Sequence, residues 1–282
     1  MAAYDVKQLE GKVRGAYFES VGSTRTGVIV LSGSSGRIDT ARAQLFAEAG
    51  TRALAMQWFG GANQSPGICE IPLEIFIDAT DLLISKECER IVLVGTSKGA
   101  EAALLASTID PRINAVIAIS PSSVVWGNIG AGIDGHAWPE RSSWSFGGSP
   151  LDFVPADTTW QKEYRDSLVS YRSFFQKCLS NDIEANERAR IPVEKSTAEL
   201  ILVAGGDDAV ERRHDLLEAL QRGEALDVGF GGGADGAFGV EIAGLLVGGL
   251  LRHRVGLEHQ LPALRSGLGQ GLVGARRGQL GL

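Results

Sequence analysis

Cysteine is scarce in this chain of 282 residues: Cys69, Cys88 and Cys178 are the only three. The count is odd and the spacings match no metal motif, so the thiols read as buried or idle groups and a reducing, cytoplasmic location is expected. Positive charge is also short, with 27 Lys and Arg against 34 Asp and Glu and a formal net charge of −7. No basic stripe stands out, which argues against nucleic acid or an anionic membrane as a partner. Long apolar runs are missing too, and AGLLVGGLL (243–251) is too short to span a membrane. The opening MAAYDVKQLEGKVRGAYFE has no apolar core of a secretory leader, so none is expected. No His/Asp/Glu cluster has ligand spacing, and neither a metal nor an organic cofactor is implied.

What is present alternates. VRGAYFE (13–19), GVIVLSG (27–33), TRALAMQWFG (51–60), RIVLVG (90–95), INAVIAIS (113–120) and STAELILVAGGDD (196–208) read as strands. Between them, TARAQLFAEAG (40–50), IPLEIFIDATDLLISKEC (71–88) and SKGAEAALLAST (97–108) read as helices. Strands alternating with helices imply an α/β fold, a mostly parallel sheet covered on both faces. Ligands of such sheets bind at the carboxyl ends of the strands. The loops that start at Ser32, Gly95, Ser120 and Ala204 should therefore meet at one edge.

Two segments differ in character. Residues 121–160 hold Trp126, Trp138, Trp144 and Trp160 among many Ser, Gly and Pro. A stretch this long without a period is read either as a lid-like functional insertion or as an excursion pinned to the body by its tryptophans. WQKEYRDSLVSYRSFFQKCL (160–179) then reads as a helix. From about Ala209 onward Lys, Thr, Asn, Tyr, Trp, Cys and Met vanish, and Gly makes up roughly a quarter of the last sixty residues against a usual share near 7%. This is the composition of a GC-rich gene read out of frame from somewhere between Asp208 and about Gly223, or else of a natural Gly-rich extension. The domain division that follows is 1–208 for the catalytic unit and 209–282 for an atypical tail.

Gly95-Thr96-Ser97-Lys98-Gly99 matches G-x-S-x-G, with a buried strand before it and a helix after it. A nucleophile elbow needs that context, because the sharp turn lifts the Ser hydroxyl out of the sheet. The competing reading is a Ser that caps the helix. A nucleophilic Ser needs a base and the base needs an orienting acid, in the chain order Ser, acid, His for α/β hydrolases. GGDD supplies Asp207 and Asp208 after the late strand, though Asp is also common in solvated turns. An oxyanion hole would draw on the backbone N–H of Lys98 and on the loop Ser32-Gly33-Ser34-Ser35-Gly36, with Gly33 and Ser34 as donors. That loop lacks the Gly spacing and the Lys of a phosphate-binding loop. The base is the weak point. His136 precedes the acid, His214 follows it too closely to reach Ser97, and His253 and His259 are the remaining candidates within the atypical tail.

VIVLSGSSG (28–36), IPLEIFIDA (71–79), RIVLVGTSKGAEAALLAS (90–107), INAVIAISPSSVVWGNI (113–129) and LILVAGGDD (200–208) together resemble the catalytic domain of the acyl-CoA thioester hydrolase and bile acid-CoA:amino acid N-acyltransferase family. The likeness covers about residues 10–208. It implies an α/β-hydrolase fold, an acyl-CoA or related ester as substrate, Ser97 as nucleophile and Asp208 as the triad acid. The family's histidine follows one last strand; here the nearest strand-like run is GVEIAGLLV (239–247), with no histidine after it before His253. The family's animal members carry a further N-terminal β-sandwich, for which this chain has no room, so a stand-alone catalytic domain is expected. Amino-acid transfer in the family goes with a Cys nucleophile, so Ser at 97 favours a thioesterase over a transferase. A general esterase of the dienelactone-hydrolase kind and an inactive form without the histidine are the alternatives. Lys98 and Arg37 are expected to meet coenzyme A phosphates.

Independent sequencing of the coding DNA across codons 208–223 tests the reading of the tail. A slipped frame is the expected result; a confirmed frame with no slip would make the Gly-rich tail a natural extension.

Overall fold

The computed structural model describes residues 3–205, apart from 23, 137–139 and 166–167, together with strands at 225–230 and 275–276. The chain opens with β1 (Tyr4–Glu10), β2 (Arg14–Ser20) and β3 (Thr26–Leu31), followed by α1 (Thr40–Glu48) and β4 (Arg52–Gln57). A two-residue strand, β5 (Ile71–Pro72), leads into α2 (Glu74–Ser85), then β6 (Arg90–Thr96), α3 (Lys98–Ile109) and β7 (Ile113–Ile119). An insertion follows. It holds β8 (Trp144–Phe146), β9 (Ser149–Pro150), β10 (Glu163–Arg165), β11 (Leu168–Ser170), α4 (Arg172–Asn181) and α5 (Ile183–Ala189). Strand β12 (Glu199–Gly205) returns to the main sheet, which β13 (Ala225–Phe230) and β14 (Ala275–Arg276) extend.

The main sheet runs in the order β1-β2-β4-β3-β6-β7-β12-β13-β14. β4, β3, β6, β7, β12 and β13 are parallel, while the β1–β2 and β2–β4 pairs at one edge and the β13–β14 pair at the other are antiparallel. The expected α/β architecture, a mostly parallel sheet with helices on both faces, is what the chain adopts. The central strands are mostly apolar because both faces of the sheet are covered. Along β3, Ile29 and Leu31 join the core on one face, and Val28 and Val30 join the core on the other. Phe76, Ala79 and Leu83 of α2 and the small residues of α3 pack on the first face, and Ala43, Phe46 and Ala47 of α1 on the second. The three cysteines are buried and outside any disulfide, and burial pushes each thiol above its ordinary pKa.

Two expectations need correction. β1 escaped the sequence reading because it is an exposed edge strand with no apolar run to betray it. The helix read over 160–179 begins only at Arg172. Its first half is a β10–β11 hairpin that sets Tyr164 opposite Val169, an aromatic–β-branched pairing that favours strands. Of the Trp-bearing segment, Trp144 is fully buried and packs against Trp58 and Phe76, so this part is pinned to the body. Asp207, Asp208, His214, His253, His259, Trp138 and the run 239–247 lie outside the described residues.

Helix α3 ends at Asp110, whose carboxylate accepts the Arg112 backbone N–H at 3.0 Å and its guanidinium at 2.8 and 2.7 Å. Burial raises the pKa of this carboxyl, but the hydrogen bonds and charge of Arg112 outweigh that and hold it below its ordinary value. A depressed folded pKa stabilises the fold above the unfolded value near ~3.9, and the gain is lost as pH falls through the folded value. Asp110→Asn should lower the midpoint of thermal unfolding at pH 7 by about 3–8 °C and make it less sensitive to acid below pH ~4. Calorimetry over pH 2–7 would check this; an unchanged acid limb would remove Asp110 from the account.

Candidate active site

Parallel neighbours share their direction, so the carboxyl ends of β3, β6, β7 and β12 finish at one edge. In register, Leu31 lies beside Gly95, Thr96 beside Ile119, and Ile119 beside Val203. The loops starting at Ser32, Gly95 and Ser120 therefore meet as the alternation implied, and the strand leading to Asp207 and Asp208 ends beside them.

Ser97 joins β6 to α3 in a single residue. Its backbone has φ 53° and ψ −117°, a left-handed conformation that a residue with a β-carbon adopts at a cost of about 1–3 kcal/mol. The turn is held by its neighbours. Ser97 N–H donates to the Ile119 carbonyl at 2.8 Å, and the Ser97 carbonyl accepts from Ala100 and Glu101 at 2.8 and 3.0 Å. A β-carbon on Gly95 would stand 2.1 Å from the Gly99 carbonyl oxygen, and one on Gly99 would stand 2.5 Å from the carbonyl oxygens of Leu31 and Ser32. Only glycine at both positions lets the helix start this close to the strands. The hydroxyl of Ser97 forms no capping bond to α3, and the residue is exposed. The capping alternative does not describe its role here.

Gly33 faces the turn. A β-carbon built on it would stand 3.2 Å from the Thr96 carbonyl oxygen, 3.4 Å from Ser97 Cβ and 4.0 Å from Ser97 Oγ. Ser34 is exposed one residue further along. Thr96 Oγ1 is bound by Arg42 of α1 at 2.6 Å, and Arg42 also lies 3.4 Å from Asp39. Ser120 is a second non-glycine residue at positive φ, 47°, with its N–H bonded to the Val203 carbonyl at 2.7 Å. Two strained residues thus mark the ends of the adjacent strands β6 and β7, a pattern that clusters at functional sites.

The phosphate role expected of Lys98 fails. Its side chain turns inward, is 4% exposed, and forms an ion pair with Glu101, itself 1% exposed, at 2.9 Å. Arg37 is exposed, as solvated arginines commonly are. Glu101 was missed in the sequence. A Lys and a Glu three apart on a helix otherwise made of small and apolar residues was the available signal. His136, the one histidine among the described residues, is exposed, and its backbone N–H donates to Asp134 Oδ1 at 3.0 Å.

A sequence profile of the family described as BAAT / Acyl-CoA thioester hydrolase C terminal matches residues 71–222. The chain belongs to this family. It is 27% identical over 204 residues to Acyl-coenzyme A thioesterase 6 of Mus musculus, covering 71% of this chain and 44% of that one. It is 26% identical over 219 residues to Acyl-coenzyme A amino acid N-acyltransferase 2 of Mus musculus, covering 76% and 48%. The chain thus spans less than half the length of these relatives. Among solved structures, the thioesterase domain from the curacin biosynthetic pathway superposes with a TM-score of 0.51 at 15% identity, covering 89% of this chain and 100% of that one. A Mycobacterium tuberculosis puromycin-hydrolyzing peptidase superposes with a TM-score of 0.55 at 14% identity, covering 87% and 39%. Likeness at this identity establishes the α/β-hydrolase fold alone.

Gly33→Ala tests the shape of this edge. The new methyl would push on the Thr96 carbonyl, so the elbow must yield by a few tenths of an ångström. The variant should fold, yet a fluorophosphonate should modify Ser97 about tenfold more slowly than in the wild type. Modification at the wild-type rate would remove the 32–36 loop from the site.

Proposed function

We propose that the chain is a serine hydrolase that cleaves acyl-CoA thioesters through an acyl-enzyme at Ser97. The observation that carries this reading is the exposed, uncapped Ser97 held at positive φ beside Gly33. Family membership supports the substrate class. In the proposed reaction a base takes the Ser97 proton and Oγ attacks the thioester carbonyl carbon. The oxyanion that forms is met by the backbone N–H of Lys98 and by those of Gly33 and Ser34. Its collapse breaks the C–S bond, and coenzyme A leaves as a thiol after taking the proton back. Water, activated by the same base, then attacks the ester carbonyl and returns Ser97 and a carboxylic acid.

Asp208, next to Asp207, is proposed as the acid, and His253 or His259 as the base. The family includes both hydrolases and amino-acid transferases; an oxyester open to water supports hydrolysis for this chain. A general esterase shares the same elbow. One observation favours a non-catalytic reading as the second: after β13, the last parallel strand among the described residues, the sequence holds no histidine before His253.

Purified protein treated with a fluorophosphonate should carry the adduct on Ser97, mapped by mass spectrometry, and Ser97→Ala should carry none. Release of coenzyme A thiol from a series of acyl-CoA esters should fall at least about 10³-fold in Ser97→Ala. Free carboxylic acid should be the product with or without added glycine or taurine. An amide product would make the chain a transferase; a folded protein that neither labels nor turns over would favour the non-catalytic reading.

A further inference from the structure

The Lys98–Glu101 pair sits directly beneath the elbow and has no part in the proposed chemistry. Lys98 Nζ donates to Glu101 Oε1 and Oε2 at 3.0 and 2.9 Å, to Ser143 Oγ at 2.8 Å and to the Trp126 carbonyl at 3.4 Å. Glu101 Oε1 accepts the indole N–H of Trp144 at 2.8 Å and the backbone N–H of Trp126 at 3.0 Å. Ser143 Oγ passes the chain on to the Gly127 carbonyl at 2.7 Å. Trp144 is 0% exposed, and its ring lies 5.9 Å from the ammonium. Two buried charges are thus joined to two stretches of the insertion, and those stretches are joined to each other.

Charges out of water are retained only where paired and hydrogen-bonded, and an apolar pair of similar volume often serves stability as well. Stability alone therefore gives no reason for this pair. Its placement gives one. Lys98 is the residue directly after Ser97, so its side chain and its backbone N–H swing about the same Cα. We infer that the Lys98–Glu101 pair is a positioning device that sets the elbow and the Lys98 N–H only when the Trp126 and Ser143–Trp144 stretches are docked. The inference rests on the Ser97 reading for its effect on reaction rate, but not for the coupling itself. Lys98 and Glu101 are positioning residues; neither side chain touches the reacting atoms.

The test uses the full chain with Lys98→Met/Glu101→Gln. Gln retains an acceptor for Trp144 and Trp126, and Met fills the space of the lysine stem without its charge. Hydrogen exchange read by mass spectrometry should quicken together at 97–101, 126–128 and 142–145, with the rest of the sheet unchanged. Fluorophosphonate labelling of Ser97 should slow about tenfold or more, and kcat for an acyl-CoA should fall with KM little changed. Ser143→Ala, a milder change away from the elbow, should move exchange and labelling in the same direction by about two- to fivefold. It also decides the matter should the double variant fail to fold. Wild-type exchange at 97–101 in a variant whose insertion has loosened would overturn the coupling, as would wild-type labelling. A wild-type protein that does not label at all would instead defeat the Ser97 reading, and the exchange data would still judge the coupling.

Discussion

The first turn of α3 lies against the carboxyl ends of β3 and β6 with no room for a β-carbon at Gly95 or Gly99, and most of the candidate site follows from that contact. A helix that starts so close to its strand leaves one residue to make the turn, and that residue must take a left-handed backbone. Serine there is strained, and the strain presents its hydroxyl to solvent at the edge where parallel strands end. The same contact brings the loop after β3 so near Ser97 that a β-carbon on Gly33 would stand 3.4 Å from Ser97 Cβ. Position and exposure of the hydroxyl are thus consequences of packing two small residues, not of any bond the hydroxyl makes.

Electrostatics works at a second level beneath the turn. A helix of Ala, Leu and Gly carries one Lys and one Glu into the interior, where each finds polar partners on the insertion between β7 and β12. Buried this way, Lys98 is a structural cation and not a receptor for phosphate. The insertion is held to the body at Trp144 by ring packing and by its indole N–H, so one tryptophan serves as both an apolar plug and a hydrogen-bond donor. The polar and apolar parts of the core meet at this side chain.

The periphery obeys weaker rules. Strand β1 is nearly all exposed and holds its place through backbone pairing with β2 and a Lys7–Glu19 ion pair across the two strands. The start of α4 and the chain before β10 meet in a row of aromatic contacts among Trp160, Tyr171, Phe174 and Phe175. Only α4 reaches toward the elbow, through Phe175, whose ring packs on Trp126.

The amino-acid sequence by itself determined the central strands, the helices between them, the elbow at Ser97 and the edge at which its loops converge. Those features are local or periodic: apolar runs for strands covered on both faces, helical spacing between them, and a glycine two residues either side of a serine. Tertiary structure alone decided where the side chain of Lys98 goes, that Glu101 meets it, and that Glu163–Arg165 pairs with Leu168–Ser170. Periodicity assigns a residue to a face of its own element but says nothing of what another element brings to that face. A Lys beside a nucleophile reads equally well as a phosphate ligand or as a buried ion. The choice was made by Trp126, Ser143 and Trp144, at least 25 positions away in the chain and within hydrogen-bond reach in the fold.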